Sequence, residues 1–110
     1  MLIVLTSRAV CEDLSSILES LRNSDLEGAR RKLDVLEPEV KTERERGSLL
    51  AATGIYASSS RGKERTLLSW GRDRIARAAK SIESSQMADD FDRGYAETLL
   101  KYANLMLEIA

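Results

Sequence analysis

Histidine is absent from this 110-residue sequence. Its absence removes the commonest general base, the commonest transition-metal ligand and the usual switch near neutral pH. Cysteine occurs once, as Cys11, so no disulfide can form within the chain. With no histidine to activate it, and set in an amphipathic pattern, Cys11 reads as a small buried apolar residue. One proline and six glycines exclude a Pro/Gly-rich disordered polymer. Charge of one sign is also missing: 17 Lys and Arg stand against 18 Asp and Glu, which excludes a global polycation and a strongly acidic chain. The opening Met1-Leu2-Ile3-Val4-Leu5 is apolar but far short of the ~20 residues that span a bilayer. No charged leader precedes it, so no signal peptide is expected and the expected compartment is the cytoplasm. This opening would form a short strand, or an extension packed on the fold or on a second subunit.

What remains is 43% apolar and 32% charged, enough to build one ordinary core. A single domain over 1–110 is expected, since domains cluster at roughly 100–150 residues. Apolar positions recur at helical spacing almost throughout. A first helix is expected over about 7–23, where Val10, Leu14, Ile17, Leu18 and Leu21 share one face. Ser24-x-x-Glu27 has the spacing of a capping box and would start a second helix, which carries Leu26, Ala29, Leu33 and Leu36. Pro38 should end that helix. Thr42-x-x-Glu45 is a second capping box, opening a helix with Leu49, Ala52, Ile55 and Tyr56 on its stripe. Ser58-Ser59-Ser60-Arg61-Gly62 reads as a loop. A fourth helix is expected over about 63–84, where Gly71 on the apolar face marks close approach of another helix. A fifth runs from Met87 onward, with Asp89, Asp90 and Asp92 in its first turns complementing the helix dipole. No strand alternation appears after residue 5. The expectation is an all-α fold, an antiparallel bundle of four to five helices.

Chemistry-bearing motifs are missing. No phosphate-binding glycine loop, nucleophile elbow, Cys-x-x-Cys pair or Glu-x-x-His di-iron motif is present, and no enzyme activity, cofactor or metal is expected. The carboxylates at 89–92 lack the spacing and glycine of a calcium loop. The run Glu37, Glu39, Lys41, Glu43-Arg44-Glu45-Arg46 alternates in sign and reads as solvated pairs at i, i+3 and i, i+4 spacing.

The fifth helix carries an unusually broad apolar arc. Phe91, Tyr95, Leu99, Tyr102, Met106 and Ile109 form one stripe, and Ala96, Leu100, Ala103, Leu107 and Ala110 a second beside it. A surface helix needs an arc little wider than ~100°. Two arrangements satisfy this pattern: a central helix within one chain, or a helix packed by its own chain on one side and a partner on the other. The second arrangement predicts a non-catalytic protein-interaction or assembly module, self-associating as a homodimer. Its interface would use Leu100, Ala103, Leu107, Tyr95 and Tyr102, with Trp70 as a further edge. A different function follows from charge. Positions 61–80 hold seven cations against two anions, and 81–110 two against six. Arg61, Lys63, Trp70, Arg74 and Arg77 would form a basic, Trp-containing face suited to nucleic acid. The alternatives for Trp70 are burial between helices, and for the basic helix a meeting with the acidic one, within or between subunits.

Overall fold

The computed structural model describes residues 8–60 and 71–107. Among the described residues there are five α-helices, α1 (Arg8–Arg22), α2 (Leu26–Leu36), α3 (Glu43–Ser60), α4 (Gly71–Ser84) and α5 (Asp90–Leu107), and one 3-10 turn, Glu37–Glu39. The fold is an all-α bundle. The opening apolar run and residues 61–70 lie outside the described set.

Each helix forms where its apolar stripe can be buried. On α1, Val10, Leu14, Ile17, Leu18 and Leu21 are all at most 3% exposed, as the spacing requires. The helix then ends in a Schellman turn: Asp25 N donates to Ser20 O at 2.8 Å and Ser24 N to Leu21 O at 3.1 Å. Ser24 takes the left-handed position of that turn, with φ at 62°.

This turn corrects the first capping box. A helix N-cap sits in the extended region of backbone space, and a residue with φ at 62° cannot fill that role. The cap moves to Asp25, whose Oδ1 accepts from Gly28 N at 3.0 Å. Two motifs compete for Ser24, and the preceding helix takes it.

The second box forms as its spacing predicts. Glu45 N donates to Thr42 Oγ1 and Thr42 N donates to Glu45 Oε1, both at 3.1 Å. Glu45 Oε1 also accepts from Lys41 N at 2.9 Å. Pro38 lies inside the 3-10 turn and closes α2. A further reciprocal box, unexpected from the sequence, starts α5: Asp92 N donates to Asp89 Oδ1 at 2.9 Å, and Asp89 N to Asp92 Oδ2 at 3.3 Å. The loop expected from 58 does not start there, because 58–60 form the last turn of α3. Serine is only a few tenths of a kcal/mol worse than alanine in a helix, and half-buried Ser58 and Ser59 follow the packing.

Short connections pair α1 with α2 and α4 with α5 as hairpins. The hairpins are joined through α3, which packs most extensively on α5 and also touches α1 and α2. Helix α5 therefore has α3 and α4 as its main neighbours, with α1 touching it as well. The core joins the α1 stripe to Ala29, Leu33 and Leu36 of α2, Ala51, Ala52 and Ile55 of α3, Ile75 and Ala79 of α4, and Ala96, Leu99, Tyr102 and Ala103 of α5. No helix among the described residues is long and apolar enough to cross a membrane.

Candidate interaction surface

The described part of the apolar arc of α5 is covered largely by the chain itself. Ala103 is 0% exposed and Tyr102 1%, so neither offers surface to a second molecule. Burial raises the Tyr102 phenol above its ordinary pKa, because a phenolate would lose its hydration there. This differs from the wet-rim hydroxyl that an interface tyrosine needs. Tyr95 and Leu100 are half-buried against the core. The side chain of Leu107 lies outside the described residues. The burial of Ala96, Leu99, Tyr102 and Ala103 is the part of the pattern that a central helix explains.

The closest packing is the crossing of α3 and α5. Gly47 faces the Phe91 carbonyl, and a Cβ built on it would lie 2.8 Å from the Phe91 carbonyl carbon and 3.0 Å from Tyr95 N. Gly94 faces α3 in return, where a Cβ would lie 2.8 Å from the Arg44 carbonyl carbon. Buried Ser48 Oγ donates to Gly94 O at 3.0 Å. Arg44 closes the crossing with a fork on Glu97: Nε donates to Oε2 at 3.3 Å, and Nη2 to Oε1. The alternating run at 43–46 thus divides into three roles. Glu45 caps, Arg44 ties two helices together, and only Arg46 makes a surface pair along its own helix, with Glu43 at 3.2 Å.

The basic set is only partly described. Arg61, Lys63 and Trp70 lie outside the described residues. Arg74 and Arg77 are exposed on α4. Arg77 and Lys80 line a groove between α4 and α5, together with Leu100, Ala76, Asp73 and Asn104. One residue from the predicted interface, Leu100, thereby meets one from the predicted basic face.

The more apolar opening lies elsewhere, between α2 and α3. Its volume is about 430 Å³. Helix α3 contributes Arg46, Leu49, Leu50, Thr53 and Tyr56, and the α2 side contributes Arg30, Leu33, Asp34 and Glu37. Both sets follow a single helical stripe. Phe91 adds a ring from the start of α5. Leu50 is 50% exposed at this groove. Its signal in the sequence is a leucine that falls off the core stripe of Leu49, Ala52 and Ile55. The other large exposed apolar residues, Val35 at 67% and Met87 at 87%, are not among the residues lining this groove, and isolated exposed apolar residues are ordinary.

Comparison with known proteins gives no match to any family model, curated protein or solved structure.

Proposed function

We propose that this protein is a non-catalytic interaction or assembly module that works through helix–helix contacts and associates with itself. The observation that supports the reading is the open groove between α2 and α3, apolar along its floor and charged along its rim, with Leu50 half out in solvent. A groove walled by two helix stripes is the shape that an amphipathic helix fills. The proposed contact surface moves from α5 to this groove, because Tyr102 and Ala103 are spent on the chain's own core. The single cysteine, with no possible partner in the chain, suits a reducing compartment such as the cytoplasm.

Sedimentation velocity over a concentration series tests the reading. The wild-type protein should sediment as a dimer at high concentration, and Leu50→Glu should shift it to monomer with helicity unchanged and a melting temperature equal to that of wild type diluted to its monomeric range. A wild-type protein that stays monomeric at its highest soluble concentration overturns the proposal.

One observation supports a second reading. Arg74, Arg77 and Lys80 are exposed along α4, as a nucleic-acid contact would need. That reading requires binding that weakens steeply with salt, with a slope reduced by neutralising Arg77 and Lys80.

A further inference from the structure

We infer that the groove between α2 and α3 is an isologous interface whose occupant is the same groove of a second copy, related by a two-fold axis that passes near Leu33. This geometry rests on the self-association proposed above and specifies it. Charge sets the pattern. Along the α2 edge of the groove, Arg30 stands at one end and Asp34 and Glu37 at the other. Arg30 and Glu37 are separated by two turns, about 10 Å along the axis. Among the described residues none of the three has an ion-pair partner within the chain. The rim is therefore polarised along the helix and neutral in sum once Arg46 of α3 is included.

A polyanion would meet Asp34 and Glu37, and a strongly acidic or basic peptide would match one end and clash with the other. A surface that carries its own complement in reverse order fits a two-fold copy of itself. Turned about an axis through the middle of this edge, α2 lies antiparallel to its counterpart. Arg30 then faces the acidic end of the other copy, and the contact occurs twice. The same rotation brings Leu50 of each copy toward the apolar floor of the other, so that its exposed half is covered.

The symmetry gives a decisive experiment. Arg30→Glu alone sets acid against acid at both contacts, and Glu37→Arg alone sets base against base. Each variant should therefore dimerise at least tenfold more weakly than wild type. In an equimolar mixture of the two variants, a heterodimer has one contact between two introduced charges of opposite sign and one between the two native residues. Neither contact is repulsive, so the heterodimer should form with an affinity close to that of wild type. Native mass spectrometry resolves that species by mass. Both positions are exposed, and circular dichroism confirms that each variant keeps its helices. Weak association of each variant with recovery in the mixture supports the two-fold groove. If wild type dimerises but the single variants do so equally well, or the mixture stays monomeric, this interface is wrong and self-association stands by another surface. If wild type is monomeric, both proposals fall.

Discussion

The crossing of α3 and α5 makes a strong prediction, because one helix supplies both the test and its control. Gly47 and Gly54 lie two turns apart on α3. An added methyl at Gly54 meets nothing within 4 Å, whereas at Gly47 it lies 2.8 Å from the Phe91 carbonyl carbon and 3.0 Å from Tyr95 N. Carbon atoms in contact prefer roughly 3.5–4.0 Å. Gly47→Ala must therefore push two backbones apart by up to about 1 Å, and no side-chain rotation can relieve it. Overpacking of this kind costs about 1–3 kcal/mol. Stretching the buried Ser48 to Gly94 hydrogen bond adds about 1–3 kcal/mol if the hydroxyl loses its partner. Against these stands the roughly 1 kcal/mol gained when alanine replaces glycine in a helix. The net loss is about 1–5 kcal/mol, or a fall of roughly 4–20 °C in Tm for a domain of this size. Gly54→Ala receives only the gain, and its Tm should rise by about 2–4 °C. Thermal denaturation followed by circular dichroism measures both. The Gly47→Ala/Gly94→Ala double variant should lose less than the sum of its singles, since the first methyl already separates the helices. Equal Tm values for Gly47→Ala and Gly54→Ala would refute the reasoning.

Two further outcomes follow from local geometry. Ser24→Gly should stabilise the protein by about 1 kcal/mol, because the left-handed position carries a steric cost for any residue with a Cβ; urea denaturation reads it, and a loss of stability would mean that the turn is not left-handed in solution. Tyr102 sets an alkaline limit. Its folded pKa is raised above 10.0 by burial, so above pH 10 the unfolded state sheds a proton that the folded state keeps, and stability falls by about 1.4 kcal/mol per pH unit until the folded phenol ionises. Below pH 10 the contribution is fully present. Tyr102→Phe should flatten this part of the stability profile relative to wild type, and an unchanged slope would place the hydroxyl in water.

Apolar periodicity carries most of the fold. The stripe of α1 is buried residue for residue, and the box at Thr42 closes with both of its hydrogen bonds because no neighbouring motif competes for it. Ser24 misleads because a residue has only one φ, and spacing cannot reveal which of two adjoining helices claims it. The glycines are harder. Gly47, Gly54 and Gly71 look alike in a helical pattern, and only the position of a second helix separates a tight crossing from open space. Gly71 stands out in the sequence, but its surroundings lie outside the described residues; the observed close approach is at Gly47 and Gly94. The breadth of the α5 arc is legible, but the identity of its cover is not, since its main partner, α3, precedes it by dozens of residues. The groove stays hidden for the same reason: it belongs to neither α2 nor α3 alone.

The α3 and α5 contact also shapes how a growing polypeptide reaches this state. Ser48 and Gly94 are 46 positions apart, and bringing them together costs roughly 3–4 kcal/mol of chain entropy beyond a constant term. A nascent chain that has emerged only as far as α4 can close the local α1 and α2 hairpin, but the notch at Gly47 has nothing to receive. Ala51, Ala52 and Ile55 then lack much of their eventual shelter. The crossing cannot form before α5 is available, and a truncated product lacking α5 would display the greasy side of α3 to whatever holdase meets it first.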